Sequence, residues 1–421
     1  MRSHSLLDHP EAEAFQRGLG ENHLSELEFL LAQRLRYLHD PEVPWSRLGQ
    51  LEARALAHAE ALHAASKTGL AQTRALLTED DANRVRASAY TLTLHGTEDM
   101  DEVFQAMDKA PEELLPAWFE ALALVSHTEV APGLCRLLSS SRSQVRASAA
   151  HWLGWRREGE AECLLPLLED PQPVVRSATA LALARLRYQH ALKTIETQSR
   201  RVPPGEAVDL LPAALLMGSS DALQQVRRLC VADNPPPALL HLLALAGDEC
   251  DVARIQRCVV NPGLAISALH AMGVLGVPAT VPMLLEQLEA AETKTRLAAD
   301  EALSLMTGAR LPHQLHLHRE LDEGENRSTW VETPVTEPKA WRRWWEDNRA
   351  RFGQAPRWRR GQPFSVVACL AELKEPLSPL RVRTRAAREL ALHTRQSIDF
   401  EPDWPVLRQQ QALNHWQKMF E

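Results

Sequence analysis

The chain has 421 residues, a formal charge of −8, 24% charged residues and 5% aromatics. That mildly acidic balance excludes a general phosphate binder with one continuous basic face, and its many Ala and Leu residues favour helices packed through small and medium side chains. Six cysteines (Cys135, Cys163, Cys230, Cys250, Cys258 and Cys369) form no CxxC pair, which excludes a zinc-ribbon spacing and a disulfide framework and predicts free thiols of a reducing cytosol.

The opening, MRSHSLLDHPEAEAF, lacks the apolar stretch of a signal peptide, so a cytoplasmic location is expected. Residues 1–68 read as an N-terminal helical cap. Within 22–40, Leu24, Leu27, Leu31, Leu35 and Leu38 fall on one helical face, and Ser25 with Glu28 has the spacing of a capping box. A second helix is predicted over 46–67. Terminal helices of unlike sequence suit an array whose ends would otherwise expose apolar faces.

Residues 69–308 repeat. A shift of about thirty residues aligns RVRASAYTLTL (84–94), LLPAWFEALAL (114–124), SQVRASAAHWL (143–153) and PVVRSATALAL (173–183). Val85, Leu115, Val145 and Val175 form one column, Arg86, Arg146 and Arg176 the next, with Pro116 interrupting it. An upstream helix contributes the column Leu77, Met107, Leu137 and Leu167. Apolar positions recur at helical spacing, so each unit is predicted to be two antiparallel helices, each with one buried stripe. The pattern continues through 209–218, 235–247, 261–276 and 292–308, where Arg296 lies four periods after Arg176. Residues 258–285 contain no Asp, Glu, Lys or Arg, but Pro262-Gly263 and Pro278 break the run at helix-pair spacing, which predicts two buried helices and no membrane span. The Arg column (Arg86, Arg146, Arg176 and Arg296) is expected to be structural, pairing with acidic turns at Asp81 and Asp170. On these grounds Leu122→Asp is expected to destabilise far more than Glu120→Lys.

Residues 309–362 read as a connector followed by a Trp/Arg-rich helix. His313, His316 and His318, with Glu320, Asp322 and Glu323, approach a metal-ligand cluster but match no strong spacing, so a solvated connector is expected and no metal or cofactor. Residues 330–360 hold Trp330, Trp341, Trp344, Trp345 and Trp358 among arginines. In WRRWWEDNRARF, Trp341, Trp344, Trp345 and Phe352 share a face that is expected to dock on the array, with RWRRGQPF running extended beyond. Trp358, Arg357, Arg359, Arg360, Arg342 and Arg343 are the candidate partner-binding residues, because Trp and Arg dominate interface energetics. Residues 363–421 read as a C-terminal helical repeat, SPLRVRTRAARELALHT (378–394), and a cap. Residues 339–395 carry 14 Lys/Arg against 5 Asp/Glu, leaving −17 elsewhere. The expectation is that this acidic remainder disfavours a specific nucleic-acid contact.

No GxSxG, Walker-A, GxGxxG or HExxH motif occurs, so no catalytic residue is assigned and a non-enzymatic protein is expected. The phrase EDPQPVVRSATALALARL (169–186) resembles the short HEAT repeats shared with phycobilin-lyase-type proteins. That resemblance implies an all-α, HEAT-like α-solenoid of stacked antiparallel helix pairs with helical caps. The order of N-terminal helices, array, Trp341, Trp344 and Trp345, then Arg357 to Pro363 as R-x-x-x-G-x-P, is similar to a proteobacterial HEAT-repeat family encoded near type VI secretion components. It implies a cytosolic adaptor or chaperone for an effector or spike protein, monomeric in isolation. An immunity protein that occludes a toxin is the alternative, and a HEAT-like nucleic-acid-binding protein or glycosylase a further one.

Overall fold

The computed structural model describes residues 10–96, 99–321, 328–394 and 399–420, and over 313–321 and 328–336 it describes the backbone alone. The chain is an all-α solenoid of helix pairs. Its described residues gather into two compact units, one within Met1–Thr197, Leu370–Ala387 and Ser397–Glu421, the other within Gln198–Cys369 and Arg388–Gln396. Among the described residues no helix is long and apolar enough to cross a membrane.

In the first unit the repeated second helices are Ala82–Thr93, Leu115–Leu124, Ser143–Arg156 and Pro173–Arg185. Each presents its column residue inward, for Val85, Leu115, Val145 and Val175 are all buried. In the second unit the corresponding helices are Pro204–Leu216, Pro237–Ala246, Ala265–Leu275 and Thr293–Thr307. Several of these helices start on proline, whose fixed φ suits the first turn and whose missing N–H removes no helical bond there. Asp81 caps another, accepting from the amides of Asn83 and Arg84.

The Ala-rich composition has a local cause in both units. A Cβ on Gly154 would lie 2.5 Å from Ala182 Cα, and one on Gly273 would lie 2.6 Å from Ala302 Cα. Successive second helices therefore touch backbone to backbone, and only the smallest side chains fit between them. The upstream column slips once. Leu77, Met107 and Leu137 are buried, but at the fourth position Leu168 is buried and Leu167 is half-exposed, because Leu165–Glu169 is wound as a 3-10 helix, with about three residues per turn.

Two local expectations are corrected. The first helix runs unbroken over Pro10–His39, so Ser25 and Glu28 lie inside it and form no capping box. The connector after residue 309 is an antiparallel hairpin, His313–Leu321 with Ser328–Thr336, in which His316 pairs with Thr333 and His318 with Val331. The expected solvated stretch has the two-residue alternation of a strand in HQLHLHREL. The side chains of His313, His316, His318 and Glu320, like all of Asp322 and Glu323, lie outside the described residues, and with them the metal question.

Leu122 is 1% exposed at the centre of its helix pair, whereas Glu120 accepts from Arg86 at 2.7 Å and is no neutral control. The exposed Glu113 is. Chemical denaturation should therefore show Leu122→Asp losing roughly 4 kcal/mol or more, or failing to fold, while Glu113→Lys stays within about 0.5 kcal/mol of the parent.

Candidate interaction site

The Arg column is built into the turns. Arg146 Nη1 donates to the carbonyls of Ser140 and Ser141, Arg176 Nη1 to those of Asp170 and Pro171, and Arg296 Nη1 to those of Ala290 and Ala291, all at 2.8–3.1 Å. Each guanidinium thus reaches the residues five and six positions earlier and closes the turn that precedes its own helix. Arg146 also clamps Asp170 through two bonds. Burial alone would raise the Asp170 carboxyl, but Arg146 and the Gln172 amide outweigh it and hold the carboxyl below its usual range. Arg86 departs from the pattern: it bonds Glu120 and Asn83, while the expected acceptor Asp81 caps its own helix.

The six residues expected to meet a partner divide into two groups. In the second unit, Trp358-Arg359 and Gln362-Pro363 pair as a tight hairpin whose two-residue turn, Arg360-Gly361, has φ of +50° and +74°. That is the left-handed pair of a type I′ turn, with glycine at its second position. The hairpin lies across helix C-termini. Trp358 N donates to Gly276 O at 2.7 Å, Arg360 N to Leu305 O at 2.7 Å and Gly361 N to Met306 O at 3.0 Å. Gly276 and Gly308 end their helices at φ +68° and +73°, and a Cβ on either would strike the hairpin backbone, 2.2 Å from Trp358 O or 2.5 Å from Arg360 O.

The arginines complete the cap. Arg359 Nη2 donates to Val274 O and Arg357 Nε to Leu275 O, so two guanidiniums neutralise the negative end of one helix. Glu389, on Leu380–Thr394, grips Arg359 through both oxygens at 2.6 and 2.9 Å. The Phe364 ring stacks on Arg357 at 4.3 Å. His393 Nε2 sits 3.1 Å from Arg357 Nη1 and 3.0 Å from Leu245 O. Burial, then the Arg357 charge, pushes its pKa down. Trp358 and Arg359 are 2% and 1% exposed. They are corrected from partner-binding residues to core, because side chains enclosed against helix carbonyls and a buried carboxylate present almost no surface to a partner. Arg357 is largely enclosed with them, and Arg360 is half-buried.

Arg342 and Arg343 are placed differently. They project from Pro338–Asn348 into solvent, Arg342 reaching Glu289 at 2.7 Å. The helix is anchored by Trp341, which is buried and donates to Asp300 Oδ1 at 2.6 Å. Trp344 and Trp345 are half-buried against Phe352, with exposed Arg349 and Arg351 just beyond. A rigid helix carrying partly open indoles among exposed arginines is the surface that remains. Residue identity at the sequence level could not separate the two sets, since both are Trp and Arg; the signal was Arg360-Gly361, a turn pair that fixes the hairpin.

The first unit has a comparable cap that the sequence reading did not single out. Trp404 Nε1 donates to Trp155 O, Arg408 Nη2 to Arg156 O, and Glu401 accepts from Arg157 and Arg185 at the ends of Ser143–Arg156 and Pro173–Arg185. Burial would raise the Glu401 carboxyl, but Arg185 and Arg157 outweigh it and hold it low. His151, beside them, is pushed down to about 4 by burial and then by Arg185.

A family model described as HEAT repeats matches residues 100–184 and 131–207. No curated protein matches. Among solved structures, an engineered protein aligns at 15% identity over 56% of this chain and 95% of its own, with a TM-score of 0.22. Human deoxyhypusine hydroxylase in complex with glycerol aligns at 17% identity over 66% and 96%, with a TM-score of 0.24. Likenesses of that size carry no argument for this chain; the repeats do.

Removing one partner of a buried ion pair strands the other, so Arg359→Met should cost about 3–5 kcal/mol in denaturant titration while Arg343→Met stays within about 0.5 kcal/mol. The depressed histidines set a pH trend. A histidine held neutral in the fold contributes stability that is complete above its unfolded pKa, near 6.5, and is lost as pH falls, because the unfolded chain takes the proton first. Stability should therefore decline from pH 7 to 4, and His151→Gln should flatten that decline by less than the roughly 3 kcal/mol of its full shift, since the ring keeps some exposure.

Proposed function

We propose that this HEAT-repeat chain is a non-enzymatic scaffold that holds a protein partner, and that the partner is a type VI secretion effector or spike component for which it serves as adaptor or chaperone. The observation that carries the reading is the anchored helix Pro338–Asn348, with Trp344 and Trp345 partly open, Arg343 exposed and Arg342 exposed in an ion pair with Glu289 at the surface. Tryptophan and arginine on a rigid element are the residues that supply most binding energy at protein interfaces. The perturbed ionisable groups support a binding role over catalysis. Glu401, Asp403, His151 and Arg383 sit in packing contacts: Glu401 between two arginines, Asp403 on the Trp155 indole, and Arg383 under the Trp45 ring with its pKa lowered to about 9 by burial. The secretion-system assignment rests on the family resemblance of the Trp341 to Pro363 order.

Deletion of the gene separates the readings. An adaptor's loss should abolish export of the cognate cargo while the producing cell stays healthy; self-poisoning would identify an immunity protein. A full-length Arg342→Glu, Arg343→Glu variant should keep its helical content and melting temperature and lose export at least tenfold. Unchanged export from that variant would contradict the assigned surface. Sub-micromolar oligonucleotide binding at physiological salt, lost in the same variant, would replace the reading with a nucleic-acid one.

A further inference from the structure

The first helices of successive repeats bring cysteines together. Cys135 lies in Val130–Leu137 and Cys163, 28 residues later, in Ala161–Leu164. Their Sγ atoms are 3.2 Å apart, and both residues are partly exposed. A second pair, Cys230 and Cys258, repeats the spacing, but both of its thiols are buried. Cysteine in an Ala- and Leu-rich helix ordinarily serves as a small apolar side chain, which suffices for the buried pair. It does not account for two thiols in contact at the surface.

The geometry is close to that of a bond. A disulfide needs sulfurs about 2.05 Å apart, so closure asks for about 1.2 Å of relative movement. Ala161–Leu164 is a single helical turn followed by the 3-10 turn Leu165–Glu169, a segment with little regular structure to resist that adjustment. The other bond at the site, Cys163 Sγ to Glu160 O at 2.8 Å, is local to the same turn and is replaceable by water.

We propose that Cys135 and Cys163 are a redox-modifiable pair, which an oxidant of the peroxide class converts into a disulfide joining two successive repeats. In the first step one thiolate sulfur attacks a peroxide oxygen, the O–O bond breaks, and a sulfenic acid and hydroxide form. In the second, the neighbouring sulfur attacks the sulfenic sulfur, the S–S bond forms, and the hydroxyl leaves as water. In total two thiols lose two protons and two electrons, and one peroxide becomes two waters. The Cys163 thiol is pushed up to about 12 by burial and by Cys135, so closure at neutral pH is slow and accelerates as pH rises. The product holds the first helices of adjacent repeats together and shortens the unfolded chain's accessible conformations, so it stabilises the fold against heat.

The test uses the full-length protein, treated with hydrogen peroxide and then alkylated in denaturant. Free thiols should fall from six to four. Peptide mapping should find Cys135 linked to Cys163, and the protein should be lighter by two hydrogens. Its melting temperature should rise and return with dithiothreitol. Cys135→Ser and Cys163→Ser, each a small change at a partly exposed position, should fold normally, form no linked peptide and show no reversible rise. Linked dimers between molecules, stable sulfinic acids at either cysteine without a linked peptide, or six surviving thiols would each overturn the proposal.

Discussion

Every α-helix ends in carbonyls that have no partner within the helix, and a stack of short helices buries many such ends at once. In this chain the donor that reaches them is repeatedly arginine. Arg142 Nη1 bonds the carbonyls of Asp108 and Ala110, Arg156 Nη1 those of Leu122 and Val125, and Arg257 Nη2 those of Cys230 and Ala232. Each time a side chain of one repeat closes a helix of the preceding repeat. A guanidinium suits the task because one terminal nitrogen carries two N–H donors that reach two carbonyls, and its charge opposes the negative end of the helix dipole.

Late segments of the chain extend the same device within each unit. Arg357 and Arg359 bring it to the helices ending at Ala246 and Leu275, and Trp404 and Arg408 to the helix ending at Arg156. Part of the basic excess of residues 339–395 is accordingly internal, while Lys339, Arg342, Arg343, Arg349, Arg351, Arg381 and Arg388 stay exposed. Arg357, Arg359, Arg383 and Arg385 are wholly or largely enclosed, and Arg385 is paired with the buried Glu372. The Trp-Arg surface left at Pro338–Asn348 is small, and its rigidity comes from Trp341 and the aromatic chain through Phe352 to Trp358. The exposed Trp-Arg helix and the capping hairpin are thus parts of one packed structure.

Much of the fold was legible because helical periodicity is set by burial, and the column of Val85, Leu115, Val145 and Val175 is read correctly from spacing alone. Where local geometry departs from 3.6 residues per turn, the reading slips, as at Leu167. Ser25 and Glu28 had capping-box spacing, but a helix already begun at Pro10 leaves no free amides there. The candidate site was only half legible. Composition marks Trp and Arg as interface residues, yet the same chemistry suits a buried cap. Burial of Arg359 depends on Glu389, thirty residues away in sequence, which no local pattern announces. The thiol contact was hidden likewise, since 28 residues separate its members and only the repeat places them side by side.

Amide hydrogen exchange at the hairpin tests the capping account most directly. The amides of Trp358, Arg360 and Gly361 lie in a two-residue hairpin that would exchange as fast as an open loop if it stood alone. The account predicts protection within about tenfold of the amides of Ala265–Leu275, because all three are bonded to carbonyls at the ends of the helices they cap. Exchange of those three at the rate of an unstructured peptide, with the helices still protected, would contradict it.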